Sequence, residues 1–215
     1  MKMRHGLPSH IPSRLADGPI NSWDRVPYVT PCSSGSDTGK GSIVPKTRHI
    51  RQNLIVGTYS SQECIDNDDG SARYLTESNV LMFGAYGMKS DFGGWQNHHV
   101  GNVYAYVCSC FGEGTNDTYG NNTCILRDGG GCSFWPRYAS DCESRAGPVP
   151  LGFEAFGNGV YSREGNVSVC EEKGKPGGRY NLTTWVKMGH DAGSFEAPLP
   201  SDSTMAGWIR QMLAF

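Results

Sequence analysis

The chain lacks the features that mark membrane-spanning and nucleic-acid-binding proteins. No apolar run approaches the roughly 20 residues that a membrane-spanning helix needs,. The 19 Lys and Arg residues nearly balance the 21 Asp and Glu residues, and the net charge of -2 comes without a run of like charge. An electrostatic footprint for nucleic acid or anionic lipid is therefore missing. We expect a soluble chain with no membrane span and no nucleic-acid partner, and the oligomeric state stays open.

Recognisable catalytic and cofactor motifs are also missing. The sequence has no G-x-S-x-G elbow, no H-E-x-x-H pair and no cysteine-nucleophile signature,. Its cysteines include one C-x-C pair, Cys108 and Cys110, but not the second close pair that structural zinc sites favour,. The sequence therefore predicts no cofactor and no metal, and it leaves open whether the chain is an enzyme.

Cysteines and glycosylation sequons are what the chain has in quantity. Disulfides persist in oxidising compartments, and N-x-Ser/Thr sequons are used on surfaces exposed along the secretory route. Together they predict a secreted, extracellular glycoprotein, and this interpretation expects a leader peptide that is not part of the chain. The eight cysteines expected in four disulfides are Cys32, Cys64, Cys108, Cys110, Cys124, Cys132, Cys142 and Cys170. The four sequon asparagines are Asn116, Asn121, Asn166 and Asn181.

The disulfide pairing is not determined by the sequence, because eight cysteines allow 105 connectivities. One constraint comes from Cys108 and Cys110, which point to the same face if both continue a strand. That geometry disfavours a bond between them. They should bridge to different partners, and the candidates in the following segment are Cys124, Cys132 and Cys142.

Glycine and proline set the expected organisation. The chain has 29 Gly and 12 Pro, and residues 1–51 hold six of the prolines and a Gly/Ser-rich run. We expect an extended N-terminal arm over 1–51 and one disulfide-rich globular domain over 52–215. No internal repeat is apparent. The predicted fold class is α+β, a disulfide-stapled antiparallel β-sheet or sandwich with one or two short helices.

Individual elements follow from periodicity and turn residues. Short β-type runs predict five strands at Leu54–Tyr59, Asn79–Tyr86, Val103–Cys108, Val167–Cys170 and Leu182–Met188,. A proline start and a Gly-Pro stop predict a helix over Pro136–Ala146,. A second, amphipathic helix is predicted over Ser201–Phe215. Its apolar stripe is Met205, Trp208, Ile209, Met212 and Leu213, which should bury against the sheet.

The run VYAYVCSC from Val103 to Cys110, followed by spaced cysteines, resembles a pattern in fungal small secreted cysteine-rich proteins. In those proteins a strand reading close to AYVC precedes a disulfide-linked helix. The resemblance covers about a third of the chain, and it departs from the pattern at Cys110 and in the Gly/Asn-rich loop that follows. It implies a secreted, effector-like protein acting at a host or cell surface, and it carries no catalytic residue across.

The densest polar and aromatic cluster is the loop from Gly93 to His99. Trp95, Gln96 and His98 are the expected ligand-binding residues, since glycines let a backbone approach a ligand and a tryptophan can stack on it,. Adjacent histidines on a strand point to opposite faces, so at most one of His98 and His99 belongs to a given site. The alternative is an ordinary turn before the Val103 strand.

Two further sets of polar residues have both a functional and a structural interpretation. Acid-base catalysis on a glycan would draw on His98, His99, Glu113 and Asp128,. The acidic run from Asp66 to Gly70 has the composition of a calcium loop, but its glycine stands one place too early for an EF-hand,. An ordinary acidic turn is the simpler interpretation of that run.

Two functional classes remain. The first is a secreted binding or effector-like protein whose partner is a glycan or a host or cell-surface component. The second is a small secreted hydrolase that acts on glycans by carboxylate and histidine acid-base catalysis.

Overall fold

A computed structural model describes residues 19–23, 46–58, 63–68, 71–84, 86–90, 96–111, 114, 116–127, 138–139, 153–170 and 179–213. The strands in chain order are β1 (Ile20–Trp23), β2 (Arg48–Arg51), β3 (Leu54–Val56), β4 (Glu63–Asp68), β5 (Tyr74–Glu77), β6 (Val80–Met82), β7 (Tyr86–Ser90), β8 (His98–Val100), β9 (Val103–Val107), β10 (Ser109–Phe111), β11 (Thr118–Gly120), β12 (Thr123–Leu126), β13 (Tyr138–Ala139), β14 (Glu154–Phe156), β15 (Gly159–Ser162), β16 (Ser168–Cys170), β17 (Arg179–Asn181) and β18 (Phe195–Pro198). The helices are α1 (Leu182–Lys187) and α2 (Asp202–Leu213).

The strands wind into a coil of three parallel sheets. Sheet A has the order β1-β4-β7-β10, sheet B β14-β11-β8-β5-β2, and sheet C β18-β15-β12-β9-β6-β3. Three consecutive strands, such as β4, β5 and β6, therefore visit sheets A, B and C in turn. The next three strands, β7, β8 and β9, pair in parallel with β4, β5 and β6. This is a parallel β-helix, in which each coil buries its inner face against its neighbours.

The antiparallel sheet or sandwich predicted from the sequence is wrong. All strand pairs in the three large sheets are parallel, and among the described residues antiparallel pairing occurs only in the small sheet β13-β16-β17. Short β-type runs between turns are also typical of hairpins, but here the turns are corners of a coil. Each strand pairs with the strand one coil away rather than with its sequence neighbour.

Several predicted elements are confirmed and two are wrong. Strands form near the predicted positions at β3, β6, β9 and β16. The segment Leu182–Lys187 is helical rather than extended, because Asn181 caps it by accepting a hydrogen bond from the Thr184 amide at 2.8 Å,. Tyr138–Ala139 is a strand inside the helix predicted over Pro136–Ala146, whose other residues lie outside the described part of the chain. From the predicted N-terminal arm, β1 and β2 pair with β4 and β5, and the proposed domain boundary stays a prediction.

A ladder of asparagines lines the corner between sheets B and C. Asn53, Asn79, Asn102, Asn122 and Asn158 occupy equivalent places in five coils. Each carboxamide oxygen from Asn79 onward accepts from the backbone N–H and the side-chain N–H of the preceding asparagine, at 2.9–3.1 Å. Ser194 ends the row by accepting from the Asn158 amide. The sequence does contain an internal repeat, which the prediction missed.

Residues with positive φ precede the ladder positions and turn the chain. They are Gln52, Ser78, Gly101, Asn121, Gly157 and Gly193, with φ from 53° to 76°. Only glycine and, less readily, asparagine adopt this conformation without strain. Because four different residue types share the position, the repeat is hard to detect in the sequence.

The C-terminal helix packs on the outside of sheet C, as predicted. Met205 of α2 is buried with Val80, Val103, Ala105 and Ile125 from the outer face of that sheet. The predicted stripe residues Trp208, Ile209, Met212 and Leu213 pack against this cluster. The other apolar core fills the inside of the coil. Within the described part of the chain, neither helix is both apolar and long enough to cross a membrane.

Candidate functional site

The two adjacent histidines lie on opposite faces of β8. His98 is exposed on the outer face of sheet B, whereas His99 is fully buried inside the coil. Parallel pairing places His98 between Leu75 and Thr118 on the neighbouring strands. The described residues beside His98 therefore do not include a carboxylate at the same register position.

His99 lies in the core inside the coil. Its ring stacks on Tyr119 with centroids 4.7 Å apart, and neither ring nitrogen has a hydrogen-bond partner among the described residues. Nε2 lies 3.9 Å from the Asp117 carboxylate, which is beyond hydrogen-bond distance,. Burial, with a smaller contribution from His98, lowers the pKa of His99 to about 3,. His99 is therefore neutral at physiological pH, and its proposed catalytic role stays a prediction.

The loop predicted to bind a ligand is only partly described. Trp95, Glu113 and Asp128 lie outside the described residues, so their predicted roles stay predictions. Gln96 is half-buried with φ of 56°. Asn97 is buried and donates from its side chain to Ser90 Oγ and to the Ser71 carbonyl, both at 3.0 Å. The ligand-binding role of Gln96 and His98 therefore also stays a prediction.

The acidic run that begins at Asp66 is strand rather than loop. Asp66 and Asn67 lie in β4, and Asn67 accepts a hydrogen bond from Ser22 at 3.0 Å. Ser22 also donates to Ser71 at 2.9 Å. Among the described residues, no group of three or more His, Cys, Asp or Glu side chains is arranged to hold a metal ion.

The most chemically distinctive group is a cluster of three buried ionisable side chains on β4 and β7. Lys89 Nζ lies 3.4 Å from Glu63 Oε1 and 3.4 Å from Asp66 Oδ2. Parallel pairing places Asp66 and Lys89 side by side in adjacent coils. Glu63, Asp66 and Lys89 are exposed by only 0%, 1% and 6%. Residues of these types are almost never fully buried unless they are paired.

Burial controls the charge of Glu63 in the acid-lysine cluster. Burial and the neighbouring Asp66 raise the pKa of Glu63 to about 9, although Lys89 acts in the opposite direction,. Glu63 is therefore protonated at pH 7. A neutral Glu63 beside the ion pair of Asp66 and Lys89 reduces the charge that the cluster buries,.

Sequence reasoning missed this cluster. In the sequence, Asp66 stands out only as part of an acidic run, and neither Glu63 nor Lys89 belongs to a motif that would join them to it. The signal that would have found them is the coil repeat. Aligning Asn79 with Asn102 by their corner positions also brings β4 beside β7, and with it Asp66 beside Lys89.

The structure forms one of the expected bridges. Cys110 on β10 is bonded to Cys124 on β12, which was one of its three predicted partners. Cys108 is also disulfide-bonded. This confirms that the chain contains disulfides.

Cys64 departs from the prediction that all eight cysteines pair. It is a free, buried thiol. Its sulfur lies 3.1 Å from Thr58 Oγ1, and burial raises the pKa of the thiol,. Cys64 packs among the apolar side chains inside the coil, so it serves as a small core residue,. Cys32, Cys132 and Cys142 lie outside the described residues, as does the side chain of Cys170.

The four sequon asparagines all lie at the surface to some degree. Asn121, Asn166 and Asn181 are exposed, and Asn116 is half-buried. The Asn181 side-chain oxygen accepts the cap hydrogen bond of α1, which leaves its nitrogen for a glycan. Glycosylation at these positions stays a prediction.

Comparisons with protein-family models, with curated proteins and with solved structures find no match for this chain. The functional argument therefore depends on the chemistry of the site alone.

Proposed function

We propose that this chain is an extracellular hydrolase that acts on a polymeric glycan, with the acid-lysine cluster of Glu63, Asp66 and Lys89 as its acid-base group. The observation that supports this most directly is the geometry of the cluster. The Lys89 ammonium group lies 3.4 Å from an oxygen of each of the two buried carboxyl groups, and the pKa of one of them, Glu63, is raised to about 9. Titratable groups whose environments push their pKa values apart mark acid and base assignments.

The two carboxyl groups divide the work of hydrolysis. Asp66, as the carboxylate, takes a proton from water while the water oxygen bonds to the anomeric carbon. Glu63, as the acid, gives its proton to the leaving oxygen as the glycosidic carbon–oxygen bond breaks. The proton on Asp66 then returns to Glu63, so the pair ends as it began.

The two carboxyl groups act from one side of the glycosidic bond. Lys89 Nζ lies 3.4 Å from an oxygen of each group, so Glu63 serves the leaving oxygen and Asp66 the attacking water from the same side. Lys89 also stabilises the charge of the Asp66 carboxylate.

A polymeric substrate suits the shape of the coil. Sheet B contains five strands, and its outer face is exposed at residues such as Arg51 and His98, so it presents an extended outer surface. Stacked repeats of this kind create long binding surfaces. The predicted secretion and the disulfide between Cys110 and Cys124 agree with an extracellular substrate,.

The second candidate function is binding without chemistry, as in an effector-like protein at a host or cell surface. The observation that favours it is the burial of the cluster, since no member is more than 6% exposed. A buried ion-pair network can serve only to fix the alignment of β4 with β7.

Reducing-end assays on a panel of soluble polysaccharides separate the two candidates. The hydrolase proposal expects activity that falls about a hundredfold or more in Glu63→Gln and in Asp66→Asn. Glu164→Gln is the matched control, because Glu164 is exposed in a turn. If both cluster variants fold and cleave as well as the native protein, the cluster is not catalytic. If the native protein cleaves none of the polysaccharides, the binding candidate is favoured.

A further inference from the structure

Two aromatic rings stack at the corner where the chain leaves sheet C for sheet A. Phe83 directly follows β6, and Tyr106 lies near the end of β9, one coil further along. Their ring centroids are 5.1 Å apart and their planes differ by 6°. Tyr106 packs against the outer apolar cluster that contains Met205 of α2, whereas Phe83 is 36% exposed. The fold therefore fixes one ring of the pair and leaves the other facing solvent.

The backbone at this corner has a conformation that large side chains rarely adopt. Phe83 and Tyr106 both have φ of 56°, and Gly57 occupies the same corner one coil earlier with φ of 81°. The hydrogen bonds show the equivalence, since the Gly57 amide donates to Met82 and the Phe83 amide donates to Ala105. Positive φ strains the backbone of a bulky residue, and such strain is concentrated at functional sites. Stability alone would favour glycine at all three corners, so the two rings indicate a role in binding.

The stack is one ring short at its Gly57 end. Gly57 has no side chain, so the corner of the preceding coil does not cover the face of the Phe83 ring that points away from Tyr106. Adjacent strands lie about 4.8 Å apart, so a ring placed over Gly57 would continue the stack at the spacing of the coils. Val56, the residue before Gly57, is 55% exposed and adds apolar surface beside this position.

The geometry points to a sugar-binding site: the aromatic corner of Gly57, Phe83 and Tyr106 binds a pyranose ring of a neutral glycan by stacking on Phe83. The C–H groups on one face of a pyranose are attracted to the negative face of an aromatic ring. The site is one-sided, because among the described residues only Tyr106 stacks on Phe83. A sugar suits such a site, since it buries one C–H face and keeps its hydroxyl groups in water. A fully aromatic ligand would leave its second apolar face exposed.

The charge beside the stack favours a neutral glycan over an acidic one. Burial and, to a smaller extent, the Asp202 carboxylate raise the pKa of the Tyr106 hydroxyl,. An anion this close to the stack repels carboxylate or sulfate groups of a ligand. The net charge of -2 acts in the same direction,.

The aromatic corner leads into the strand that carries Lys89. Tyr86, the first residue of β7, stands three residues after Phe83 and pairs with Glu63 at the start of β4. Three residues span about 10 Å at most, and paired strands lie about 4.8 Å apart. The corner is therefore close to the end of β4 that belongs to the acid-lysine cluster. The inference rests on the proposed function for the identity of the polymer, and it names the substrate class of that function.

Affinity electrophoresis tests the inference without requiring catalysis. The neutral probes are hydroxyethyl cellulose, a mixed-linkage β-glucan and galactomannan, and polygalacturonate is the acidic comparison. At least one neutral probe should retard the native protein more than polygalacturonate does. Phe83→Ala and Phe83→Leu remove the ring and should raise the dissociation constant about tenfold. Phe83→Tyr keeps a flat ring and should bind as the native protein does.

Phe156→Ala is the matched control, because Phe156 is 37% exposed but lies on β14 of sheet B. It should keep native binding. Thermal unfolding establishes that each variant is folded, and if Phe83→Ala does not fold, Phe83→Leu provides the comparison because it keeps most of the apolar volume.

Four results would overturn the inference. They are no retardation of the native protein by any neutral probe, stronger retardation by polygalacturonate, native binding by folded Phe83→Leu, and an equal loss of binding in Phe156→Ala. Glu63→Gln keeps the failures of the two proposals apart. It should bind the neutral probe with native affinity whether or not the chain is a hydrolase.

Discussion

At the scale of single residues, the acid-lysine cluster is asymmetric in charge. Glu63 is neutral at pH 7, because burial and the neighbouring Asp66 raise its pKa to about 9. Asp66 is ionised and paired with Lys89 at 3.4 Å. Replacing the neutral Glu63 side chain should therefore destabilise the protein far less than removing Lys89, the cation beside the buried Asp66 carboxylate.

Lys89→Met should lower the free energy of unfolding at pH 7 by about 3 kcal/mol, since it removes the ammonium group that lies 3.4 Å from the buried Asp66 carboxylate,. Glu63→Gln should lower it by less than about 1 kcal/mol, because the amide replaces a neutral acid of the same shape. Urea unfolding measures both. Equal losses in the two variants would show that Glu63 is ionised in the folded protein.

The same cluster predicts how stability depends on alkaline pH. The pKa of Glu63 is higher in the folded protein, at about 9, than its ordinary value of 4.5. Its stabilising contribution is therefore complete below pH 4.5 and is lost as the pH rises toward 9,. Native protein should lose stability between about pH 7 and pH 9, and Glu63→Gln should remove most of that loss,. Urea unfolding of the two proteins across this range is the measurement.

His99 predicts the opposite dependence at acid pH. Its pKa is lowered from the ordinary 6.5 to about 3, so its contribution is complete above pH 6.5 and is lost as the pH falls toward 3,. His99→Phe keeps an aromatic ring against Tyr119 and cannot be protonated. Its thermal midpoint should fall less between about pH 6.5 and pH 4 than that of the native protein,. A midpoint that falls equally in both proteins would place the acid sensitivity elsewhere.

At the scale of elements, α2 was predictable and most of the sheet structure was not. The stripe of Met205, Trp208 and Ile209 repeats with the period of a helix, and local periodicity is enough to define such a face,. The β-branched and aromatic residues of Leu182–Lys187 favour a strand by composition. A single cap by Asn181, together with the burial of Leu182 and Trp185, decides in favour of helix.

Trp208→Ala should destabilise the protein by about 2 kcal/mol, below the roughly 3 to 5 kcal/mol typical of a fully buried aromatic residue. Trp208 is half-buried, and its ring lies 5.6 Å from that of Tyr161 on the outer face of sheet C. Thermal and urea unfolding provide the measurement. Gln211→Ala, at an exposed position of the same helix, is the control and should change little.

The asparagine ladder should be the most sensitive polar feature of the coil. Asn102 accepts from the Asn79 amide, donates to the Thr76 carbonyl and donates to Asn122. Asn102→Ala leaves several of these buried groups without partners and should cost about 3 kcal/mol. Asn53→Ala, at the half-buried end of the ladder, should cost clearly less. Similar losses at both positions would mean that the ladder does not act through its buried hydrogen bonds.

At the scale of the whole molecule, the sequence predicted a β-rich chain but not its topology. Runs such as Leu54–Val56 and Val103–Val107 mark strands by composition, whichever neighbour they later pair with. The parallel order depends on the repeated corner, where Ser78-Asn79, Gly101-Asn102 and Asn121-Asn122 differ in the residue that takes positive φ. The acid-lysine cluster could not be predicted for the same reason, because Asp66 and Lys89 become neighbours only when β4 and β7 are aligned.

At the same scale, labelling of free thiols tests whether all eight cysteines form disulfides, as expected from the sequence, or whether Cys64 stays free, as in the structure. In native protein, alkylation should leave Cys64 unmodified, because the thiol is fully buried and its pKa is raised by burial,. Denaturation without a reductant should expose that thiol to labelling, while a peptide map should still show Cys110 joined to Cys124. Labelling of Cys64 in the native state would show that the inner side of β4 opens to solvent. If Cys64 remains unlabelled after denaturation, it is oxidised, and the expectation of four disulfides is restored. Labelling of Cys110 or Cys124 under the same conditions would instead remove the bridge that ties β10 to β12.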